Sequence, residues 1–403
     1  MLSVQSKILF MLGSKCSECN ACVQICNHEA IRLEENFEGF SYPVINPKKC
    51  INCNLCIKVC PMINSEKIKS PNKQTFAVQI KDKDLLLKSS SGGVFSLIAM
   101  YTIKNNGIVY GAAWNKDMNL QHVGIEKIEE LEKLRGSKYV HSEIGNSFIE
   151  IKKYLKQGRL VYFTGTPCQV AALKLYLYLP YKNLITSDLI CHGTPSQKIF
   201  NLFKDDLENE LNGRIIDYKF RDKKIQGWNC SSSSVITENR NNKKYHIYNK
   251  NMYAYYKAFI KGDITREDCY NCPFTTCERV GDITLADFWD IQKFHKEFKN
   301  LENGVSLILI NTEIGEYIWN KIKSDTHYVE SSINIAIKTS NKNLYSPTIR
   351  PSSRDKAFLI AFNNFNKFRD TYLGKENIYT FYVSYYKRRI KNYMKWILKR
   401  KEK

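Results

Sequence analysis

Apolar and polar residues alternate between residues 30 and 46, on both sides of a polar turn at 36–39. An alternation with a period of two is typical of half-buried strands, so it predicts a hairpin here. From residue 76 onward, strand-like and helix-like segments follow one another without a repeat of fixed period. This succession favours a larger α/β or α+β body that is packed around a mixed sheet.

The predicted elements of this body alternate in type up to residue 211. The predicted strands are Phe76–Ile80, Gly107–Trp114, Leu160–Thr164 and Leu184–Cys191. The predicted helices are Gly93–Lys104, Ser147–Lys156, Val170–Tyr178 and Ser196–Leu211. Between the hairpin and the body, Pro61–Lys73 is polar and basic, which predicts a linker and a boundary near residue 70.

Eight of the fourteen cysteines lie in two matching runs at the N-terminal end. The runs are Cys16-x2-Cys19-x2-Cys22-x3-Cys26 and Cys50-x2-Cys53-x2-Cys56-x3-Cys60. Three thiolates at this spacing surround one iron–sulfur cube, while the fourth turns to the neighbouring cube. We therefore predict two 4Fe-4S clusters, the first held by Cys16, Cys19, Cys22 and Cys60 and the second by Cys50, Cys53, Cys56 and Cys26.

Zinc knuckles and disulfides are the competing interpretations of these runs. Zinc sites pair two Cys-x2-Cys units at a longer separation, and disulfides need a secreted chain, for which we find no signal peptide. The first run has Asn27 where Pro61 follows the second run. Because that position is not a ligand, the cluster prediction is unaffected.

Four further cysteines form a second constellation. They are Cys168, Cys191, Cys269 and Cys272. The first two follow predicted strands, which would place them at one edge of the sheet, and the Cys-x2-Cys pair would complete a set of four. This pattern is compatible with three interpretations: a third 4Fe-4S cluster, a zinc site, or buried thiols without a ligand role. Cys230 and Cys277 are predicted to be outside the group.

The sequence Ser90-Ser91-Gly92-Gly93 leads directly into a predicted helix. Backbone amides at such a start suit a phosphate or the edge of a flavin, although the same pattern also serves as a simple N-cap and turn. His192, beside Cys191, is a candidate proton donor or an ordinary strand-end histidine. The chain has no Gly-x-Ser-x-Gly elbow and no Walker loop, so hydrolase and P-loop chemistry are not supported.

The net charge of +21, from 61 cations and 40 anions, indicates anionic partners. Phosphates, a membrane surface and an acidic electron-transfer protein all fit this charge. The cysteine content without a signal sequence predicts a cytoplasmic location, and no apolar run is long enough to cross a bilayer. We expect no nucleic acid as a partner.

The C-terminal residues 385–403 hold nine cations and one anion. Apolar and basic side chains from Tyr382 to Lys399 fall on opposite faces of a helix. Such a helix either lies on an anionic membrane surface or docks on the protein with a solvated basic face. The sequence therefore predicts a basic helical arm, and it is compatible with contact either to a membrane or to the rest of the protein.

Several of these motifs occur together in one order. They are Ser90-Ser91-Gly92-Gly93, Gly136-Ser137-Lys138-Tyr139-Val140, Gly165-Thr166-Pro167-Cys168-Gln169, Cys191-His192-Gly193, Cys269-x2-Cys272-Pro273 and Asp282-Ile283-Thr284-Leu285-Ala286-Asp287-Phe288-Trp289. In this respect the chain resembles the coenzyme F-420 hydrogenase/dehydrogenase beta-subunit family, in a branch with an N-terminal double-cluster ferredoxin. The resemblance covers about residues 75–330.

The resemblance implies a flavoprotein with bound FAD and a third 4Fe-4S cluster. It implies that the flavin is bordered by Ser90, Ser91, Gly92, Gly93, Lys138, Asp282, Thr284 and Asp287. Ala286 and Asp290 stand where relatives commonly have glycine, so this backbone need not follow the same path. The substrate is not transferable, and use of the deazaflavin coenzyme stays open. Some relatives occur in surface-polysaccharide gene neighbourhoods, which is an analogy only.

The sequence thus predicts an α+β protein. Its expected parts are a two-cluster ferredoxin domain at 1–70, a flavin-binding body in two parts at 71–155 and 156–345, and a basic helical arm at 346–403. The leading hypothesis is an iron–sulfur flavoenzyme that passes electrons between a redox partner protein and an organic substrate. The alternatives are an electron-transfer subunit without its own substrate and a zinc-containing nucleic-acid-binding protein.

Overall fold

The computed structural model describes residues 12–228, 233–239, 242–247, 250–298, 303–339 and 341–373. The helices are α1 (Ala21–Gln24), α2 (Leu55–Lys58), α3 (Lys83–Lys88), α4 (Val94–Lys104), α5 (Leu131–Leu134), α6 (Ser147–Lys156), α7 (Pro167–Leu177), α8 (Gln197–Leu211), α9 (Lys223–Gln226), α10 (Lys250–Lys261), α11 (Glu313–Ile322), α12 (Ile333–Lys338), α13 (Arg354–Asn363) and α14 (Phe365–Leu373). The strands are β1 (Ile31–Glu35), β2 (Ser41–Ile45), β3 (Gln74–Ile80), β4 (Ile108–Trp114), β5 (Leu120–Ile125), β6 (Val161–Thr164), β7 (Leu184–Leu189), β8 (Arg214–Lys219), β9 (Ser234–Asn239), β10 (Asn242–Ile247), β11 (Ile283–Asp287), β12 (Ser306–Ile310) and β13 (Thr326–Ser331).

The body is organised around an eight-stranded sheet with the order β13-β3-β12-β11-β7-β6-β4-β5. Its centre is parallel, because β4, β6, β7 and β11 run in one direction. We call the edge at which these four strands end the carboxyl edge. The antiparallel strand β12 begins there with Ser306, which pairs with Asp287 of β11 and Val78 of β3. In open α/β sheets, ligands bind outside such an edge.

Helices cover the central sheet on both faces. Side chains of α4 and α11 pack on one face together with Tyr162 of β6. Side chains of α6 and α7 pack on the other face together with Val161 and Phe163, as the alternation of side chains along a strand requires. Cys19 and Val59 of the cysteine runs belong to this second core, so the N-terminal domain packs on the α6–α7 side.

A third core lies beside the sheet and joins it to a small antiparallel sheet of β8, β9 and β10. Helices α8, α10, α13 and α14 contribute most of its apolar side chains. Phe40, from the N-terminal hairpin, is also buried there. The hairpin therefore contacts the body through its turn end as well as through the cysteine runs.

The fold agrees with the predicted class, a small N-terminal domain followed by a larger mixed body. The hairpin is present as β1 and β2, and α6 has the predicted limits. Helix α7 begins at Pro167, three residues earlier than predicted, because Thr166 and Gln169 form a capping box. The predicted domain boundaries at 70, 155 and 345 stay predictions.

The segment predicted as a linker, Pro61–Lys73, is fastened to the N-terminal domain at one end and to the body at the other. Asn64 donates to the carbonyl oxygens of Ile57 and Cys60 at 2.8 and 3.1 Å, and Ser70 pairs with Arg279 in a β-bridge. Cys230 and residues 374–403 of the basic helical arm predicted at 346–403 lie outside the described residues, whereas the first part of that arm forms α13 and α14, which pack in the third core. Among the described helices, none is long and apolar enough to cross a membrane.

Candidate cluster and flavin site

The two cysteine runs fold in the same way. Each run has non-glycine residues in the left-handed region at matching positions, Glu18 and Asn20 in the first and Asn52 and Asn54 in the second. Because asparagine tolerates positive φ better than most residues, three of these four positions suit the tight turn. The Glu18 amide lies 3.4 Å from the Cys16 sulfur, a contact that backbone amides of such loops make with thiolates.

The first predicted ligand group is brought together from both runs. Burial raises the pKa of Cys19 well above its ordinary value, and the nearby thiolates of Cys60, Cys22 and Cys16 raise it further. Burial, Cys16 and Cys60 act in the same direction on the pKa of Cys22. Cys60 of the second run thus lies with the first three thiols of the first run, as the exchange of the fourth cysteine predicts.

The second predicted group mirrors the first. Burial raises the pKa of Cys56 to about 11, and the thiolates of Cys53, Cys50 and Cys26 add to this effect. Cys26 of the first run therefore lies with the second run. Cys53 is exposed, whereas the other three thiols are partly buried.

The third predicted group comes from three parts of the chain. Cys168 lies in the first turn of α7 after β6, Cys191 follows β7, and Cys269 and Cys272 belong to a short segment after α10. Burial raises the pKa of Cys269 well above its ordinary value, and Asp268, Cys191, Cys272 and Cys168 raise it further. The four thiols are therefore electrostatic neighbours, while their role as ligands stays a prediction.

The remaining described cysteine lies elsewhere. The Cys277 thiol donates to the carbonyl oxygen of Leu344 at 3.4 Å and packs in a separate apolar cluster. No cysteine in the described part of the chain forms a disulfide. Within that part, no set of three His, Cys, Asp or Glu side chains is close enough to hold a single metal ion.

The surroundings of the third group fit a sulfur-rich cluster. The Thr265 hydroxyl is fully buried and has no hydrogen-bond partner. Gly193 has φ +120°, and a Cβ at this position would lie 2.4 Å from Thr265 Cγ2 and 3.3 Å from Cys269 Cβ. A buried hydroxyl without a partner is costly, and the sulfur atoms of a cluster accept hydrogen bonds of this kind.

A buried arginine connects the first and third groups. Arg266, with 1% of its surface exposed, donates to the Cys16 carbonyl oxygen and to Glu18 Oε2, both at 2.6 Å. It also pairs with Asp268 at 3.2 Å and lies over the Tyr42 ring at 4.4 Å. Since Asp268 precedes Cys269, this arginine spans the junction between the N-terminal domain and the third group.

The loop Ser90–Gly93 lies at the carboxyl edge. The Gly92 amide donates to Ser306 Oγ at 2.9 Å, and the Ser91 hydroxyl donates to the Val305 carbonyl oxygen at 3.0 Å. A Cβ on Gly92 would lie 2.1 Å from the Val78 carbonyl oxygen. The protein's own backbone thus requires glycine at this position, independently of any ligand.

Lys138 is joined to this loop through its neighbour, because the Ser137 amide donates to Ser90 Oγ at 2.8 Å. The Lys138 ammonium donates to the carbonyl oxygens of Leu134 and Arg135 at the end of α5. Burial lowers the pKa of Lys138 to about 8, against a smaller opposing effect of Asp217. In this conformation the lysine closes a helix end beside the loop.

The predicted flavin residues of β11 lie at its two ends. Asp287 is at the carboxyl edge, opposite Ser306. Asp282 lies before the start of the strand and accepts from the Thr186 amide at 2.8 Å, and Thr284 donates to Asp188. Both residues are buried in hydrogen-bond networks inside the sheet. The structure therefore brings Asp287 to the Ser90–Gly93 loop and leaves Asp282 and Thr284 away from it.

Sequence reasoning missed several polar residues around Asp287. Arg221 binds this carboxylate with both terminal nitrogens, at 2.5 and 3.1 Å, and Trp228 Nε1 donates to it at 2.9 Å. The Trp228 and Trp289 rings are stacked with centroids 3.9 Å apart. Trp289 could be found from the sequence, because it belongs to the Asp282–Trp289 motif. Arg221 and Trp228 belong to no such motif and lie about 60 residues earlier in the chain than Asp287.

Lys223 connects three backbone segments around the Ser90–Gly93 loop. Its ammonium donates to the carbonyl oxygens of Leu86, Ser91 and Asn303 at 2.8, 2.5 and 2.6 Å. Burial lowers the pKa of Lys223 to about 7, and the positive charge of Arg221 lowers it in the same direction. The lysine thus ties the Ser90–Gly93 loop to the segment that enters β12.

The third cysteine group and the Asp287 region are neighbours on the sheet. Leu189 of β7 pairs with Leu285 of β11, and Cys191 and Asp287 each follow two residues later. Adjacent strands are ~5 Å apart, so the two segments leave the sheet side by side. The Gly92 loop is one strand further along, beside Ser306.

His192 is engaged by the protein itself. Its Nε2 lies 2.9 Å from the Ile260 carbonyl oxygen, and its ring packs edge-on against Phe259. Burial lowers its pKa. These contacts favour the ordinary structural histidine over the proton donor.

Models of known protein families match the N-terminal cysteine runs and the C-terminal part of the body. Residues 158–335 match the family that describes the C-terminal region of the beta subunit in coenzyme F420 hydrogenase/dehydrogenase. Residues 15–63 and 42–89 match two models of a 4Fe-4S dicluster domain. The predicted resemblance to this family and the predicted N-terminal iron–sulfur domain are therefore confirmed.

Comparisons with individual proteins are more distant. A search of curated proteins found no match. A chain from the F420-reducing [NiFe] hydrogenase complex of Methanosarcina barkeri is similar over 75% of this chain and 91% of that chain. The two share 20% sequence identity, with a TM-score of 0.44.

Proposed function

We propose that this beta-subunit-like protein is an iron–sulfur flavoprotein that transfers electrons between a one-electron carrier and an organic substrate. Its family is one of oxidoreductases, and its N-terminal domain is a dicluster iron–sulfur domain. The observation that carries the proposal is the series of three thiol groups that leads from the protein surface to the carboxyl edge. Cys53 is exposed at one end of this series, and Cys191 lies beside the Asp287 segment at the other.

The cysteine groups have distinct tasks in this proposal. The first two groups hold the paired 4Fe-4S clusters, and Cys168, Cys191, Cys269 and Cys272 hold a third. Arg266 and Asp268 fix the distance between the first and third groups, because both are buried and paired. A fixed short separation keeps electron transfer between the two sites rapid.

FAD is the proposed converter, since a flavin exchanges single electrons with clusters and hydride with organic molecules. The Ser90–Gly93 loop, Lys138 and Asp287 border its proposed position. The stacked pair Trp228 and Trp289 supplies an aromatic surface there, and Arg221 holds the Asp287 carboxylate in place. Lys223 fixes the loop against β12.

An electron-transfer subunit without its own substrate is the second candidate. It is supported by the internal hydrogen bonds of Ser90, Ser91 and Lys138, which already satisfy groups proposed to border the flavin. Bound flavin in the purified chain favours the first function. A full iron content without flavin favours the second.

Quantitation of iron, acid-labile sulfide and flavin after anaerobic purification tests the proposal. We expect about twelve iron atoms per chain, as three cubes of four require. Cys191→Ser should remove the third set and retain the paired clusters, while Cys277→Ser should leave the iron content unchanged. An iron content of eight that Cys191→Ser does not alter would disprove the third cluster.

A further inference from the structure

The second cysteine group has an exposed apolar surround. Among the thirteen cysteines that the structure describes, Cys53 is the only one that is exposed. Ile51 beside it is 60% exposed, and Tyr178 and Leu179, just past the end of α7, are 48% and 71% exposed. Val59 of the second run shares a buried core with Leu177 at the end of α7, and Met62 packs against that core, so this helix end adjoins the second run.

The part of this surround that the second run contributes is cationic, whereas Glu29 is an exposed carboxylate three residues after Cys26. Residues 39–65 contain three lysines and neither aspartate nor glutamate. All three, Lys48, Lys49 and Lys58, are exposed and lie within two residues of a cysteine of the second group. None of them forms an ion pair with another described residue. Lys182, three residues after Leu179, is also exposed.

The first cysteine group also has an exposed lysine, Lys15 beside Cys16, but it differs in its acidic residues. Its flanking acidic residues Glu18 and Glu38 are paired with the buried Arg266 and Arg354 at 2.6 Å. These pairs face the body of the protein. The two halves of the N-terminal domain are therefore not equivalent, since the buried ion pairs lie beside the first group, whereas the second group has the exposed Cys53 and three exposed lysines.

We propose that the outward half is the docking surface for a small acidic electron-transfer protein that carries one electron at a time. The surface consists of Lys48, Lys49, Ile51, Lys58, Tyr178 and Leu179, and we call it the distal patch. The inference rests on the proposed function and adds the partner and its place of contact.

The composition of the distal patch determines the chemistry of this partner. Its apolar centre surrounds the exposed Cys53, where a partner must approach closely for an electron to cross. Its lysines attract a face that carries carboxylates, which raises the rate of encounter and orients the partner. A carrier with an apolar redox centre surrounded by acidic residues, of the ferredoxin or flavodoxin type, matches both features.

Stopped-flow reduction of the full-length holoprotein tests the proposal. A dithionite-reduced acidic plant-type [2Fe–2S] ferredoxin is the probe, and cluster bleaching at low ionic strength is the signal. The test variant is Lys48→Glu/Lys49→Glu/Lys58→Glu. The matched control is Lys83→Glu/Lys104→Glu/Lys321→Glu, with the same change in net charge on α3, α4 and α11, which cover the other face of the sheet.

The second-order rate constant of the test variant should fall at least ~10-fold, while that of the control should change less than ~2-fold. The difference should shrink as salt is raised, since screening shortens the range of charge. Reduction by dithionite alone at high ionic strength, where the charge of this anionic reductant is screened, should be unchanged in both. Equal rates in wild type and test variant, or an equal fall in the control, would overturn the distal patch.

Those outcomes leave the proposed function intact as long as the clusters are present. A holoprotein without N-terminal clusters would overturn the proposed function and the docking surface together. The iron content of each preparation separates the two cases.

Discussion

Single residues beside the third cysteine group are expected to set its redox properties. Thr265 Oγ1 is buried without a partner next to Gly193 and Cys269. If this hydroxyl donates to a cluster, it stabilises the reduced, more negative state. Thr265→Val should then lower the reduction potential of the third cluster by ~40 mV, which corresponds to one hydrogen bond of about 1 kcal/mol.

Redox titration followed by electron paramagnetic resonance measures this shift. Thr265→Ser keeps the hydroxyl and serves as the control, with a potential close to that of the wild type. The paired clusters should keep their potentials in both variants. An unchanged third potential in Thr265→Val would show that the hydroxyl does not contact the cluster.

His122 illustrates a pH effect at the same scale. It is buried between Ser142 and the Thr164 carbonyl oxygen, and burial lowers its pKa to about 4. Because the unfolded chain binds the proton more readily, the stability is fully present above pH ~6.5 and is lost as the pH falls through 4. The loss should be on the order of 3 kcal/mol.

Unfolding measured by denaturant between pH 4 and 7 tests this expectation. His122→Gln should flatten the pH dependence of the free energy of unfolding. His327, exposed on β13, provides the control, and His327→Gln should leave the slope unchanged. Equal slopes in all three proteins would contradict the role of His122.

At the scale of elements, local patterns predicted what local physics determines. Strands β4, β6 and β7 and helices α4, α6 and α8 were all predicted within a few residues, since the strands are short apolar runs, α4 is largely apolar, and α6 and α8 have one apolar face. Pairings between distant segments could not be predicted. Arg221 meets Asp287 across 66 positions, and Arg266 meets Cys16 across 250. No local pattern encodes such contacts, because tertiary packing creates them.

The Ser90–Gly93 loop shows how an element combines packing with a proposed ligand site. Gly92→Ala would place a Cβ 2.1 Å from the Val78 carbonyl oxygen, which cannot move without disturbing β3. We expect a loss of about 3 kcal/mol in the free energy of unfolding, even for protein without flavin. Thermal and denaturant unfolding measure this loss.

Gly158→Asn is the control for this substitution. Unlike Gly92, Gly158 has positive φ, but a Cβ there meets nothing within 4 Å, and asparagine tolerates this conformation at a helix end. Its effect should stay below ~1 kcal/mol. If Gly92→Ala destabilises only the flavin-loaded protein, the glycine serves the ligand and not the sheet.

At the scale of the whole molecule, the N-terminal domain and the body are held together by buried ion pairs as well as by apolar contacts. Cys19, Ala21 and Val59 share a core with α6 and α7. Arg266 and Arg354 add charged contacts to Glu18 and Glu38 across the same junction. The junction therefore fixes the relative position of the first and third cysteine groups, which electron transfer between them requires.

Arg266→Met tests this junction. The substitution would leave the buried Asp268 and the partly buried Glu18 without their main cation, and removing one partner of a buried pair costs about 3–5 kcal/mol. We expect faster hydrogen exchange in the N-terminal domain and slower electron transfer to the third group. Arg350→Met is the control, because Arg350 pairs with Glu267 and Asp355 at the surface, where such pairs contribute less than about 1 kcal/mol.

Arg266 has two roles, neutralising Asp268 and donating a hydrogen bond to the Cys16 carbonyl oxygen. The double variant Arg266→Met/Asp268→Asn distinguishes them. Neutralising Asp268 should recover part of the lost stability, since one buried charge is removed. It should not recover the rate of electron transfer if the hydrogen bond from Arg266 to the Cys16 carbonyl oxygen is what holds the two groups together. Full recovery of both quantities would instead mean that Arg266 serves only to neutralise Asp268, and that the apolar contacts alone position the N-terminal domain.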